Sequence, residues 1–288
     1  MRLQMSVFWM LAAMLPRHQK HPMPKLTHHP NLSNEDYHAM SAVSPSRLKE
    51  RTMLHYWDRF ENPNAIKPAP TPAMQRGTAL HTAVLEPETW ADVVAVQPRL
   101  DRRTKAGKAA AAEFEQAAAG RVVLSADDAE EVALMADAVR CHPAAKFLLE
   151  MPGAVEQSYS WTDAATGVEC KTRPDWHSAD QRIVVDVKTT QDASRSGFAK
   201  STANFGYHVQ AAWNQDALGA EQFITIAVES IRPYAVAVYP ASPLMITAGQ
   251  RRISRALEQI VECRASGVWP GYGDQIQEPL ELPGWCND

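Results

Sequence analysis

Three residues near the middle of the chain have types and spacing that could do chemistry together: Asp175, Asp186 and Lys188. Asp186 and Lys188 lie two apart, so on a strand both side chains leave the same face. The run Ile183-Val184-Val185-Asp186-Val187-Lys188 is apolar enough for a strand covered on both faces. An aspartate buried in such a run is costly unless it is paired or binds a metal. Asp175 closes the preceding strand, within reach of Asp186 across one tight turn. Two facing carboxylates repel unless a cation sits between them, and oxygen ligands of this kind suit Mg²⁺ or Mn²⁺. Lys188 beside them could orient or deprotonate a water, or neutralise charge on a phosphoryl transition state. That is the physical core of metal-dependent phosphodiester hydrolysis. The three residues alone read equally well as a strand salt bridge with Asp175 as a turn residue, because D-x-K is a short pattern.

The surrounding sequence supplies elements to position them. Val155, Gln157, Tyr159 and Trp161 alternate with polar neighbours as a half-buried strand, and Asp163 to Gly167 is turn chemistry. Val168 to Pro174 then reads as the returning strand of a hairpin. Two more strands are expected at Phe223 to Val228 and Tyr234 to Tyr239, and short ones at Val93 to Val96 and Arg121 to Leu124. Helices are expected from Ser44-Pro45 and from Thr71-Pro72, each a capping residue followed by proline. Others follow Lys108 and Ser125, one runs from Asp192 to about Leu218, and one from Met245 to Arg264. The expected architecture is α/β, a mixed sheet of about five strands flanked by helices.

Composition limits the alternatives. Of 288 residues 45% are hydrophobic and 22% charged, enough apolar material for a sizeable core. The net charge of -4 gives no bulk attraction to nucleic acid or membrane, so such a partner must find a local patch. Cys141, Cys170, Cys263 and Cys286 form no CxxC pair; they offer no zinc or iron–sulfur cradle and suit a reducing cytoplasm. The apolar run from Met5 to Leu15 is too short to span a membrane, which needs about 20 residues. Residues 1–30 read as a disordered N-terminal extension, and 31–288 as a single domain.

Further motifs stand in order around the central three. Gly77-Thr78-Ala79-Leu80-His81 lies on the second helix, with His81 on its inward face. Arg173-Pro174-Asp175 ends a strand, Asp186-Val187-Lys188-Thr189-Thr190 follows, and Tyr207-His208-Val209-Gln210 opens a helix. With Leu32 to His38, Ser44-Pro45-Ser46-Arg47-Leu48 and Leu85-Glu86-Pro87, the chain from Leu32 to Ala265 resembles the PD-(D/E)xK nuclease superfamily. The likeness is to its exodeoxyribonuclease VIII type, related to RecB nuclease domains. The resemblance implies a restriction-endonuclease-like core and a metal site of His81, Asp175, Asp186 and the Val187 carbonyl. Lys188 would be the catalytic lysine, and Gln210 would orient the site or the DNA strand. Asn214 stands where related nucleases carry tyrosine; Tyr207, one turn earlier, is a candidate substitute.

Basic and hydroxyl residues supply candidate DNA contacts. Arg99, Arg102, Arg103, Lys105 and Lys108 concentrate positive charge before a helix and could track phosphates, or form a solvated loop. Ser44, Ser46 and Arg47 at an expected helix N-terminus could hold a 5′-phosphate. Lys171 and Arg173 share a strand face with Asp175 and could meet the scissile strand. The resemblance implies a Mg²⁺-dependent exonuclease (Mn²⁺ substituting) that resects linear double-stranded DNA 5′ to 3′. It would assemble as a ring and hand 3′ strands to a single-strand-annealing recombinase, in a phage or prophage setting. The alternatives are an impaired DNA-end-binding scaffold on a nuclease fold, and a nuclease for single-stranded or branched DNA.

Overall fold

A computed structural model describes residues 24–66, 68–101 and 103–282. Its centre is the expected mixed sheet of five strands. β4 (Gly153–Val155), β7 (Trp176–Ser178), β8 (Ile183–Thr190), β9 (Gln222–Glu229) and β10 (Val236–Pro240) stand in the order β10-β9-β8-β7-β4. β8 and β9 run parallel in a register that pairs Asp186 with Thr225 and Lys188 with Ala227; the other pairs are antiparallel. A parallel pair needs a long crossover, supplied by α8 (Arg195–Asn204) and α9 (Tyr207–Leu218).

Both faces of the sheet are covered, as the near-continuous apolar run of β8 requires. On one face Val185, Val187, Ile224, Ile226 and Val228 pack under α3 (Pro72–Leu85), α6 (Ala126–Cys141) and α7 (Pro143–Leu149). On the other, Val184 and Phe223 meet Ala211 and Ala212 of α9 and Ile246 of α10 (Pro243–Ser266). Asp186 and Lys188 alternate with Val185 and Val187, so they stand on the α9 face. α9 and α10 cross closely at Gly249, where a Cβ would lie 2.2 Å from the His208 carbonyl oxygen.

Smaller elements complete the molecule. β1 (Thr27–His29), β5 (Ser158–Thr162) and β6 (Glu169–Thr172) form an antiparallel sheet, and β2 (Val94–Gln97) pairs in parallel with β3 (Val122–Ser125). The remaining helices are α1 (Asn34–Ala39), α2 (Met53–Phe60), α4 (Trp90–Val93) and α5 (Lys105–Ala117). Thr71, Thr104, Ser125 and Ser242 each cap a helix by accepting from a backbone N–H. Among the described residues no helix is long and apolar enough to cross a membrane.

Four expectations give way to tertiary contacts. The extension does not reach residue 30 without order: Thr27–His29 pairs with Ser158–Ser160. No α-helix starts at Ser44, because Val43 bridges to Cys170 of β6 and fixes an extended backbone there; α2 starts later, capped by Thr52. The single helix expected up to Leu218 is two, divided at Gly206 in the left-handed region (φ 65). The expected meander is split, since the chain leaves the small sheet after β6 and joins the central sheet at β7. Asp175 sits at that crossing.

Candidate active site

The carboxyl half of β8, the crossing before β7 and the inward face of α3 converge on one spot. Asp175 is buried, and its Oδ2 accepts from the Val187 backbone N–H at 2.8 Å, which ties the crossing to the centre of β8. His81 reaches in from α3: its Nε2 lies 2.7 Å from the Val187 carbonyl oxygen and 3.6 Å from Asp175 Oδ2. The Val187 peptide therefore faces both residues, one through its N–H and the other through its oxygen.

Glu156 is the third member. It lies between β4 and β5 in the left-handed region (φ 49), its N–H bonded to the Asp175 carbonyl at 3.1 Å. Ligand atoms of His81, Glu156 and Asp175 all lie within 4.8 Å of one another. Burial, and then the negative charge of Asp175, pushes the Glu156 carboxyl up to about 8. Glu86, at the end of α3, adds to that negative potential and is itself raised by burial and by Glu88. Two hard carboxylates that repel each other when charged, together with an imidazole, are a donor set that fits a divalent cation. Nothing in the sequence pattern singles out Glu156; its only mark is an acid between two strands that precede Arg173-Pro174-Asp175.

Asp186 stands just beyond this group and is otherwise engaged. Only 2% exposed, it takes the Lys188 ammonium on both oxygens, at 2.7 Å and 2.6 Å, and the Gln210 side-chain amide on Oδ1 at 2.7 Å. The group of mutually close donors is thus His81, Glu156 and Asp175, with Asp186 and the Val187 carbonyl bordering it. Burial opposes the charge on Lys188, but Asp186 and Asp175 outweigh it and raise the ammonium's pKa. Lys188 is a fixed cation at neutral pH. Gln210 orients Asp186, one of the two roles expected of it. Tyr207, a turn before Gln210, presents its ring 5.5 Å from Lys188 Nζ. Asn214 is remote from this chemistry: it is buried at 1% exposure and accepts from the Thr172 hydroxyl in the core.

Most of the expected DNA contacts are occupied elsewhere. Lys171 is 1% exposed, and its ammonium donates to the carbonyls of Tyr37 and Met40, the latter at 2.8 Å. Arg173 donates to Ser158 Oγ and to the carbonyls of Leu32 and Ser33, with the Tyr37 ring 4.6 Å away. Both side chains are spent on holding residues 32–40, because the N-terminal segment covers the strand face they share. Arg47 similarly donates to the carbonyls of Ser41 and Met40. Ser44 is buried with its hydroxyl 3.0 Å from that of Ser46, and the three stand at a one-turn 3₁₀ helix (Arg47–Lys49), not an α-helix N-terminus. Arg99 and Arg103 are exposed and paired with Asp127 and Asp101. Lys105 and Lys108 are exposed on α5. Arg102 lies outside the described residues.

Comparison with known proteins agrees with this architecture. Residues 53–278 match the family described as "PDDEXK-like domain of unknown function (DUF3799)". A crystal structure from Eubacterium rectale, named "Putative exonuclease", superposes with a TM-score of 0.60 at 11% identity, covering 88% of this chain and 97% of that one. A second, SSO0001, covers 64% of this chain and 86% of its own at 14% identity, with a TM-score of 0.30. No curated protein matches the chain. With the matched region spanning most of the sequence and its five-stranded sheet, the chain belongs to the PDDEXK-like DUF3799 family.

Proposed function

We propose that the protein is a divalent-metal-dependent deoxyribonuclease acting as an exonuclease on linear double-stranded DNA. One observation carries the reading. A three-donor group (His81, Glu156, Asp175) abuts a buried Asp186–Lys188 ion pair braced by Gln210. A structural salt bridge needs no second set of repelling carboxylates beside it. A phosphoryl-transfer site needs both, a cation holder and a fixed positive charge for the phosphate.

Glu156, Asp175 and His81, with Asp186 and the Val187 carbonyl at their border, would hold Mg²⁺ or Mn²⁺. Such an ion, when bound, supplies Lewis acidity toward a phosphoryl oxygen and lowers the pKa of water. The chain's own residues do the rest. Lys188 donates N–H bonds to a non-bridging phosphate oxygen as negative charge grows there. Its raised pKa makes it a charge stabiliser and not a proton acceptor. Asp186 anchors that ammonium, and the Gln210 amide fixes Asp186, so Lys188 needs little reorganisation during reaction. Water adds to phosphorus, one P–O bond breaks, and the departing oxygen takes up a proton.

The family resemblance supplies the 5′ to 3′ polarity, the 3′ overhangs and the expectation of a ring-shaped homo-oligomer. The polarity and the overhangs are tested on linear 5′-phosphorylated duplex labelled at each strand end, with covalently closed circles and single strands alongside. Mg²⁺-dependent loss of the 5′ label by wild type, absent with Lys188→Met and absent on circles, supports the reading. Cleavage of circles or of single strands alone changes the substrate class. No cleavage with Mg²⁺ or Mn²⁺ leaves the end-binding scaffold.

A further inference from the structure

Lys49 ends the 3₁₀ turn Arg47–Lys49, two residues after the Arg47 that fastens Met40 and Ser41, yet its side chain is arranged differently. Its stem lies across Gly206, the left-handed residue between α8 and α9: a Cβ there would sit 3.3 Å from Lys49 Cγ and 3.6 Å from Cε. That seat delivers Nζ to a point 5.4 Å from the centre of the Tyr207 ring. The Lys188 ammonium is 5.5 Å from the same centre. Two lysines from distant parts of the sequence therefore share one ring beside the candidate site.

The two differ in what they bond. Lys188 is neutralised by Asp186. Lys49 is only partly exposed, and among the described residues its ammonium meets no carboxylate, carbonyl or hydroxyl within hydrogen-bonding distance. Of the cations nearby, Arg47 in the same turn is satisfied by two carbonyls, whereas Arg252, exposed on α10, has no acceptor among the described residues. Burial first, then the positive charge of Lys188, pushes the Lys49 ammonium down to about 8, with Arg252 adding to the effect and Asp186 opposing it. A half-buried cation held among cations, without an acceptor, is costly alone and is relieved by an anion.

We propose that Lys49, with Arg252 outside it, binds a backbone phosphate of the DNA strand adjacent to the phosphate that Lys188 faces. The Tyr207 ring fixes the two ammoniums relative to each other, so both contacts belong to one strand path over the α9 face. The nature of the anion rests on the nuclease reading, whereas the binding itself does not require cleavage.

The test is binding of a fluorescein-labelled linear duplex in EDTA, followed by anisotropy over a range of salt concentrations. Wild type, Lys49→Met, Lys49→Arg and Arg252→Met are compared, with a thermal melt of each. Lys49→Met should weaken binding about tenfold and lower the slope of log K against log salt by about 0.9, one phosphate contact. Lys49→Arg should keep the wild-type slope, and Arg252→Met should lose less than Lys49→Met. A folded Lys49→Met with wild-type affinity and slope would overturn the proposal; Lys49→Gln replaces it if the methionine variant melts early. Wild type that binds with the Lys49-dependent slope but never cuts would refute the nuclease reading and leave this one standing. Wild type that cuts while the Lys49 variants bind unchanged would do the reverse.

Discussion

Lys171 and Lys188 flank Asp175 in sequence, both sit on strands, and both are withdrawn from solvent, with side chains 1% (whole residue) and 15% exposed respectively. Their surroundings are opposite. Lys171 meets neutral carbonyls of Tyr37 and Met40 and the Tyr37 ring, so burial pushes its ammonium down to about 8. Lys188 meets the carboxylate of Asp186 at the rim of a group of repelling acids, which hold its proton more firmly. The first lysine closes a chain segment over the small sheet. The second projects a fixed charge into a site. What an ammonium bonds to separates these roles; burial and strand position do not.

Substituting each lysine sharpens that contrast. Lys188→Met should reduce nucleotide release by about 10³-fold while the protein still folds, because the charge that it removes acts on the developing transition state. The acidic side of the site should show itself in pH. The folded Glu156 carboxyl is raised to about 8 from an ordinary 4.5, so the folded chain holds a proton that the unfolded chain releases. The contribution of Glu156 to the stability of the metal-free protein is therefore full below about pH 4.5 and is lost as pH climbs toward 8, by at most roughly 4 kcal/mol. Denaturant titrations in EDTA at pH 5 to 8 measure this slope, and Glu156→Gln should flatten it. Lys171→Met leaves two carbonyls unpaired and should cost about 2–3 kcal/mol, seen as a melting temperature lowered by roughly 5–10 °C. Activity per folded molecule should persist; if it vanishes with Lys171 as it does with Lys188, the division of labour is wrong. The smallest effect is expected at Asn214. Asn214→Tyr overpacks a buried position and breaks the bond to Thr172, costing about 1–3 kcal/mol without raising the rate.

The sequence showed the parts of the site that lie along single elements. Asp186 and Lys188 were legible because strand alternation puts residues two apart on one face, and His81 because helical spacing turned it inward and its motif matched. Of the five-stranded sheet, the apolar runs mark β8, β9 and β10, whereas the three-residue β4 and β7 carry no such pattern and the expected hairpin strands belong to the small sheet. Glu156 and Lys49 were not legible, because each reaches the site from a distant stretch through a backbone conformation or a packing seat that no periodicity records. Lys171 and Arg173 read as candidate DNA contacts in the sequence because alternation gives the face of a residue but not what covers that face, here residues 32–40. Ser44 followed by proline has the pattern of a helix cap, but the pairing of Val43 with β6 holds the backbone extended there. Gly206 inside an apparent helical run marked the break that seats Lys49.

The central claim is that the acids around β8 form a cation site serving Lys188. Calorimetric titration of Mn²⁺ into the metal-free protein tests it most directly, with wild type set against Asp175→Asn and Glu156→Gln. Stoichiometric binding by wild type, lost in Asp175→Asn and weakened in Glu156→Gln, with a proton released on binding below about pH 8, where metal-free Glu156 is protonated, is the predicted result. A folded wild-type protein that takes up no Mn²⁺, or one whose binding survives both substitutions unchanged, would contradict the account.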